Sequence, residues 1–261
     1  MPTILDEIVE HKKLELEAAR QRISLGELES DVRDMPPAAD FLAPLREDSR
    51  VSLIAEVKKA SPSKGLIRAD FEPLQIAREY AENGASCISV LTDEKYFQGH
   101  LDFLGRISSQ LDVPLLRKEF VIDPYQVFEA RKHGASAVLL IAECLGDSQL
   151  QELHDLVVEL EMTPLVEFHE ISNLERSLAT GASLIGVNNR DLKTFHTDLD
   201  HVIGLRKQIP SDRTVVAESG IFSWEDVQRI SAAGIEAMLV GESLMRQDSV
   251  GDAVKKLLGR G

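Results

Sequence analysis

The sequence contains very few cysteines. Cys87 and Cys144 are the two cysteines among 261 residues, which excludes a disulfide framework and any zinc or haem site built on paired cysteines. Both lie within apolar stretches, so we expect them to be small core residues in a reducing compartment.

Long hydrophobic runs are also missing. A run such as 137–142 falls far below the roughly 20 apolar residues that a membrane-spanning helix needs. The first residues include Asp6 and Glu7 and contain no apolar signal core. We therefore expect a cytoplasmic protein with no membrane partner.

Positive charge is scarce relative to negative charge. The chain has 29 Lys and Arg residues against 44 Asp and Glu residues, which gives a net charge of −15. Nucleic acids and anionic membranes are bound by basic surfaces that replace counterions, so no nucleic-acid partner is expected. The hydrophobic fraction of 43% is enough to bury a core, which excludes a disordered chain.

Several motifs of nucleotide and metal enzymes do not occur. The sequence has no Walker A loop, no G-x-G-x-x-G, no G-x-S-x-G and no H-E-x-x-H. Nucleotide binding, dinucleotide binding and metal-dependent hydrolysis therefore have no support. An S-x-x-K match at Ser61 and Lys64 is rejected, because Pro62 and Gly65 favour a loop over the helix that this nucleophile motif requires.

The first fifty residues differ from the rest. Apolar residues at helical spacing, and a capping-box pattern at Thr3 and Asp6, predict a helix over about 3–22. We interpret 1–50 as a helical extension and 51–261 as a catalytic barrel domain.

From residue 51 onward, apolar runs of strand length alternate with amphipathic helical runs. The candidate strands are 51–57, 86–91, 114–118, 137–141, 164–168, 183–187, 214–218 and 236–240. Proline and small polar residues favour helix N-termini. The predicted helix starts are Pro73, Asp123-Pro124, Asp147-Ser148, Ser172, Asp198, Ser223 and Asp248-Ser249, with a further helix at about 100–110.

A repeat accompanies this alternation. Four predicted helices end in Gly84, Gly134, Gly181 and Gly234, which are 50, 47 and 53 residues apart. Glycine ends a helix at low cost because the C′ position is left-handed. Eight strand–helix units predict an α/β fold, a single (β/α)8 TIM barrel with an N-terminal helical extension. An open doubly wound sheet is the alternative.

Charged residues follow several candidate strands at their carboxyl ends, where barrel enzymes carry catalytic groups. Glu56 and Lys58 are two residues apart, so their side chains share one face of the first strand. Lys118 ends the third strand and Glu167 the fifth. Solvated ion pairs at the barrel rim are the alternative interpretation.

Polar and small residues follow the last three strands. Asn188 and Arg190 have the same parity, and these side-chain types orient hydroxyl groups and bind carboxylates. A turn built on Asn188 and Asn189 is the alternative. Small residues at 219–220 and at Gly241 let backbone N–H groups approach a phosphate.

Together these residues resemble the indole-3-glycerol phosphate synthase family of tryptophan biosynthesis, over essentially the whole chain. The most specific piece is 54–65, Ile-Ala-Glu-Val-Lys-Lys-Ala-Ser-Pro-Ser-Lys-Gly. Supporting pieces lie at 91–97, 116–120, 166–167, 187–192, 218–220 and 241–245.

The resemblance implies a lyase that closes an indole ring with loss of CO₂ and water, without a metal or organic cofactor. It implies that Lys118 protonates the developing alkoxide and that Glu167 is the base that restores the aromatic ring. Glu56 and Lys58 would assist proton transfer and binding, and Asn188 would orient the substrate.

Further residues receive binding roles from the same resemblance. The implied substrate-binding residues are Arg190, Glu218, Phe97 and Phe120, of which the two phenylalanines would form walls for the anthranilate ring or simply pack in the core. The implied phosphate-binding residues are Ser61, Ser219, Gly220, Gly241 and Glu242. Glu242 would contribute its backbone, because its side chain would repel the anion.

The charge of the implied substrate leads to two expectations. A molecule with a phosphate and a carboxylate needs a local positive patch on a protein of charge −15. We expect this patch to comprise Lys58, Lys64, Lys118 and Arg190. Crowded cations should lower the pKa of a lysine, whereas nearby glutamates should raise it.

Two other functions stay open at this point. A phosphoribosylanthranilate isomerase-like barrel is disfavoured, since that family carries a cysteine and an aspartate where this sequence has Glu56 and Lys58. A non-catalytic phosphosugar-binding barrel need not retain Lys118 and Glu167. We expect a monomer, because no apolar helix face lacks an explanation.

Overall fold

The computed structural model describes residues 3–47, 50–191 and 193–260. Outside these ranges lie Met1, Pro2 and residues 48–49 of the predicted extension, Leu192 of the 187–192 piece, and Gly261.

Eight parallel strands form a closed barrel in which each strand pairs with its neighbours in the chain and the first pairs with the last. The strands are β1 (Ser52–Val57), β2 (Cys87–Leu91), β3 (Leu115–Lys118), β4 (Ala137–Ile141), β5 (Thr163–Phe168), β6 (Leu184–Asn188), β7 (Thr214–Glu218) and β8 (Ala237–Val240). All eight predicted strands are confirmed, and each end lies within one residue of its predicted position. After β1, Ala60–Ser61 and Gly65–Leu66 pair as a short hairpin.

Helices precede the barrel and alternate with its strands. They are α1 (Ile4–Arg22), α2 (Leu25–Arg33), α3 (Ala43–Arg46), α4 (Pro73–Glu82), α5 (Leu101–Ser108), α6 (Pro124–Lys132), α7 (Asp147–Glu159), α8 (Leu174–Ala179), α9 (Asp200–Leu205), α10 (Trp224–Ala232), α11 (Glu242–Met245) and α12 (Val250–Leu257). Single 3₁₀ turns lie at Ala142–Cys144, Ile171–Asn173 and Arg206–Gln208. In the described part of the chain, no helix combines the length and the apolar character that crossing a membrane requires.

The predicted helix boundaries agree with the structure apart from two starts. The 3₁₀ turn Ile171–Asn173 occupies the predicted start at Ser172, and α8 begins at Leu174. Asp198 lies just before the cap of α9, although its side chain still accepts from the backbone N–H of Asp200. The predicted capping box at Thr3 and Asp6 forms.

Glycines end four of the helices, as predicted. Gly84, Gly134, Gly181 and Gly234 have φ of 110°, 81°, 86° and 76°. This left-handed region costs other residues free energy but not glycine, so the chain turns from each helix into the following strand.

The core has two layers because strand side chains alternate between faces. Leu53, Ala55 and Val57 of β1 pack outward in the cluster that includes the helices. Ile54 points into the barrel with the other inward apolar residues. Residues that continue the Ile54 parity therefore emerge inside the barrel mouth at the carboxyl end of β1.

The N-terminal helices contact both ends of the barrel. Phe41, just before α3, packs in the interior cluster, and its carbonyl accepts from Cys87 Sγ at the first residue of β2. This closes the amino end of the barrel. At the carboxyl end, Ile4, Leu5 and Ile8 of α1 line the cavity described below.

Candidate active site

One cavity lies at the carboxyl ends of the barrel strands, and all fourteen predicted site residues line it. They are Glu56, Lys58, Ser61, Phe97, Lys118, Phe120, Glu167, Asn188, Arg190, Glu218, Ser219, Gly220, Gly241 and Glu242. Six of the strands end at or next to one of these residues, so the barrel topology brings distant parts of the chain together.

The first strand supplies a buried ion pair. Glu56 is 3% exposed and pairs with Lys58, two residues further along the same face. Gly241 lies against this carboxylate, since a Cβ there would collide with Glu56. The absence of a side chain at residue 241 is thus what leaves room for Glu56.

An ammonium group lies at the centre of the cavity. Lys118 Nζ lies 2.5 Å from Glu167 Oε2 and 2.9 Å from Glu218 Oε2. Asn188 Nδ2 donates to Glu167 Oε1 at 3.0 Å, and Asn188 Oδ1 accepts from the backbone N–H of Arg190 at 3.0 Å. Three strand ends therefore fix the position of one potential proton donor.

The carboxylate neighbours of Lys118 determine the direction of its pKa shift. Burial opposes the charge of the ammonium, but the carboxylates of Glu167, Glu218 and Glu56 outweigh burial and raise the pKa of Lys118 above its usual value. Of the two opposing effects expected for a lysine in this site, that of the glutamates prevails, because the contacts of Lys118 are carboxylates. Lys118 is therefore protonated at neutral pH.

The two carboxyl groups that contact Lys118 differ in the direction of their pKa shifts. Burial raises the pKa of Glu167, but Lys118 and the hydrogen bond from Asn188 more than reverse this, so the pKa of Glu167 is lowered. Burial and the charge of Glu167 together raise the pKa of Glu218 well above its ordinary value. The site thus brings one ammonium together with two carboxyls whose pKa values move in opposite directions.

Three of the four cations of the predicted positive patch line the cavity, and each of the three pairs with a carboxylate. Lys58 pairs with Glu56, and Lys118 pairs with Glu167 and Glu218. Arg190 Nη2 lies 3.2 Å from Glu242 Oε2. Carboxylates from adjacent strand ends accompany these cations because burying a cation alone would cost several kcal/mol. Binding of an anion must therefore compete with internal carboxylates.

The side-chain carboxylate of Glu242 pairs with cations of the protein itself. In addition to Arg190, it contacts Arg246 Nε at 3.2 Å and Lys64 Nζ at 3.8 Å. Burial raises the pKa of Glu242, but the hydrogen bonds from Arg190 and Arg246 lower it overall. Because three cations hold its side chain, the backbone of Glu242 is the part that can face an anion.

The loops after β7 and β8 line one part of the cavity with Ser219, Gly220 and Gly241, and this part is called the polar concavity below. Ser219 and Gly220 have φ of 67° and 79°, and a left-handed serine is uncommon enough to mark a functional turn. Ser61 Oγ also lines the cavity, is buried, and has no hydrogen-bond partner among the described residues. A buried hydroxyl without a partner is suited to a bound ligand.

Two phenylalanines form an aromatic wall of the cavity. The ring centroids of Phe97 and Phe120 are 6.0 Å apart and the rings are tilted by 38°. Both rings line the cavity, so they contact open space as well as one another. This surface fits a planar aromatic ligand.

Several residues that line the cavity were not predicted from the sequence. Ile4, Leu5 and Ile8 come from α1, and Phe195 and Phe222 come from loops after β6 and β7. Phe222 is 62% exposed and Phe195 has φ of 59°. The helical spacing of Ile4 and Ile8 was visible, but nothing in the sequence indicates that this face covers the barrel mouth.

Metal-ligating side chains do not form a site in the described ranges: no group of three or more His, Cys, Asp or Glu residues could hold a metal ion there. The rings of His169 and His201 are 4.7 Å apart. Their hydrogen bonds go to backbone carbonyls, from His169 to Asn188 and from His201 to His169. These histidines connect loops of the protein.

Solved structures with a similar fold include two barrels from bacteria. 3-Hexulose-6-phosphate synthase from Salmonella typhimurium has a TM-score of 0.66 at 12% identity, and the match covers 80% of this chain and 97% of that chain. KGPDC from Streptococcus mutans has a TM-score of 0.63 at 11% identity with the same coverage. At this identity the similarity establishes the TIM-barrel fold alone.

Sequence comparison is more specific. The family model for indole-3-glycerol phosphate synthase matches residues 5–257. Indole-3-glycerol phosphate synthase from Rhodopirellula baltica is 51% identical over 98% of this chain and 99% of its own length. The enzyme of that name from Crocosphaera subtropica is 49% identical over 97% of this chain and 89% of its own length. The chain therefore belongs to the indole-3-glycerol phosphate synthase family.

Proposed function

We propose that this protein converts 1-(2-carboxyphenylamino)-1-deoxyribulose 5-phosphate into indole-3-glycerol phosphate, CO₂ and water. The observation that carries the proposal is the Lys118 ammonium, which contacts Glu167 and Glu218 in a cavity that also contains an aromatic wall and a polar concavity. Family membership supports the same reaction. An acid, a base and an anion site are the groups that this conversion requires.

The substrate lies with its phosphate at the concavity and its anthranilate ring on Phe97 and Phe120. Ser61 Oγ donates to the phosphate, and the backbone N–H groups of 219–220 and 241–242 supply further donors. The raised pKa of Glu218 eases binding, because the site disfavours the charged form of this carboxyl, which would repel the substrate's negative charges.

Ring closure is the first chemical step. The ring carbon that bears the carboxylate attacks the ketone carbon, and a C–C bond forms while the carbonyl π electrons move to oxygen. Lys118 protonates this oxygen as it becomes an alkoxide. The ammonium form of Lys118 at neutral pH makes this transfer possible without a further proton source.

Decarboxylation and dehydration complete the ring. The electron pair of the C–COO⁻ bond returns to the ring as CO₂ leaves, which restores part of the conjugation. The hydroxyl then accepts a proton from the ammonium of Lys58 and leaves as water, while Glu167 removes a proton from the adjacent ring carbon. The lowered pKa of Glu167 keeps it ionised for this role, and Glu56 and Lys58 assist proton transfer.

We extend the proposal to the organisation of the protein. Residues 1–50 form a helical extension that covers both ends of the barrel at 51–261, and the protein acts in the cytoplasm as a monomer. Contacts of Phe41 with the barrel interior and of Ile8 with the cavity support one folded unit.

Purified protein tests this function. With the substrate and a metal chelator present, indole fluorescence should appear at a rate proportional to protein concentration. Heat-denatured protein is the control for the slow spontaneous reaction. Folded protein that forms no indole product under these conditions would disprove the proposal.

A further inference from the structure

A lysine on α1 is buried beneath the aromatic wall. Lys12 is 3% exposed, although lysine is among the residues least often buried. Its Nζ lies 3.0 Å from Asp93 Oδ2 and 3.0 Å from Glu119 Oε1. A third carboxylate, Glu15 Oε2, lies 2.5 Å away on the same helix. One ammonium thus joins the first helix to the loops that follow β2 and β3.

Both buried carboxylates hold the backbone of the aromatic wall. Asp93 Oδ1 accepts from the N–H groups of Tyr96 at 2.7 Å and of Phe97 at 3.2 Å. Glu119 Oε1 accepts from the N–H of Phe120 at 2.9 Å. The carboxylates that bind Lys12 are therefore also the acceptors that hold the backbone of Phe97 and Phe120 in the loops after β2 and β3.

The charge balance makes these contacts depend on Lys12. Asp93 is fully buried, and Lys12 is its cationic partner among residues 3–47, 50–191 and 193–260. Burial raises the pKa of Glu119, but Lys12 and Arg117 lower it overall, so Glu119 stays ionised. Removing one partner of a buried ion pair leaves an uncompensated charge, and the remaining carboxylate then seeks water or protonates.

We propose that Lys12 is a positioning residue that sets the spacing of the aromatic wall, through Asp93 and Glu119. The inference rests on the proposed function, in which Phe97 and Phe120 bind the anthranilate ring. Lys12 lines no part of the cavity and so takes no part in proton transfer. Its effect is on substrate binding, because a wall that contacts the ring equally in the ground state and the transition state changes KM and not kcat.

Lys12→Met tests the proposal against a neighbouring control. Lys13 lies on the same helix, is exposed and pairs with Glu10 within that helix, so Lys13→Met removes one positive charge without touching the wall. Hydrogen exchange measured by mass spectrometry over 93–98 and 118–122 should be at least about tenfold faster in Lys12→Met. Lys13→Met should match the wild type.

Kinetics give the second measurement. Lys12→Met should raise KM for the carboxyphenylamino deoxyribulose phosphate about tenfold while kcat stays within about threefold. Lys12→Arg, which keeps the charge, should have a KM close to that of the wild type. A purely structural role predicts a different result, in which thermal stability falls and KM is unchanged in the folded fraction. If Lys12→Met does not fold, Lys12→Gln replaces it, because an amide still donates to one carboxylate.

The two proposals fail in distinguishable ways. If the wild type forms no indole product, the proposed function fails, and the exchange measurement alone decides whether Lys12 holds the two loops. If the wild type is active but Lys12→Met equals Lys13→Met in exchange and KM, the role of Lys12 is overturned.

Discussion

Glu167 and Glu218 contact the same ammonium, yet the pKa values of the two carboxyls move in opposite directions. The pKa of Glu167 is lowered by Lys118 and by the amide of Asn188. The pKa of Glu218 is raised by burial and by the charge of Glu167, and its Oε1 has no hydrogen-bond partner within the described residues. One lysine therefore contacts two carboxyls that differ in their affinity for a proton.

Removing the central acid or base should abolish most turnover. Lys118→Ala and Glu167→Gln should each reduce kcat at least about 10²-fold, the usual contribution of a positioned acid or base. Steady-state rates of indole formation measure this effect. Lys207→Ala, at an exposed lysine remote from the cavity, should keep the wild-type rate. Near-normal kcat in either site variant would remove that residue from its role.

Glu218 should make the folded protein less stable as pH rises. Because its folded pKa lies well above the ordinary 4.5, folding takes up a proton between those two values. Its favourable contribution is complete below about 4.5 and is lost as pH rises through the raised pKa, by up to about 1.4 kcal/mol per pH unit. Urea unfolding of Glu218→Gln between about pH 5 and pH 8 should therefore show a shallower decline than the wild type.

Glu167 provides the opposite comparison in the same experiment. Its lowered pKa means that its contribution is present above 4.5 and is lost as pH falls through the folded pKa. The stability difference between wild type and Glu167→Gln should thus be constant near neutrality and shrink in acid. Parallel pH profiles for both variants would contradict the opposite pKa shifts.

Gly241→Ala should damage the site by displacing Glu56. The added Cβ would collide with that carboxylate, and overpacking of this kind costs typically about 1–3 kcal/mol. We expect a lower free energy of unfolding and a fall in kcat. The control is Gly204→Ala in α9, where an added Cβ meets no atom within 4 Å; it should be neutral or slightly stabilising. Equal effects at both glycines would refute the packing argument.

Ser61→Ala should weaken binding of the phosphate. A hydrogen bond to a charged group contributes about 1.5–3 kcal/mol, so KM should rise about tenfold or more while kcat changes little. The unliganded protein should keep its stability, since Ser61 Oγ has no partner among the described residues. Ser109→Ala, at an exposed serine, is the control. If Ser61→Ala weakened the binding of a substrate analogue that lacks the phosphate by the same factor, Ser61 would contact another part of the substrate.

Strand periodicity explains why so much of the site was predictable. Once β1 is a strand, the parity of Ile54 dictates that Glu56 and Lys58 emerge inside the barrel, and the same rule applies to Lys118 and Glu167. Family resemblance then named their roles. These inferences depend on local order along single strands, which the sequence carries directly.

Contacts between distant segments of the chain could not be predicted from the sequence. A lysine at residue 12 normally indicates a solvated helix face, and its burial against Asp93 and Glu119 depends on how α1 crosses the barrel. The pairing of Arg190 with Glu242 likewise depends on side chains from two strand ends. These ion pairs depend on how distant segments pack together. The direction of the Lys118 pKa shift depends on the same packing, so it could not be predicted from the sequence.

The stoichiometry of CO₂ release and indole formation in one reaction tests the central claim most directly. Wild-type protein given the carboxyphenylamino deoxyribulose phosphate should release one CO₂ for each indole-3-glycerol phosphate formed, and Lys118→Ala should slow both by the same factor. Indole formation at the wild-type rate in Lys118→Ala, or CO₂ release without indole in the wild type, would contradict ring closure driven by the Lys118 proton.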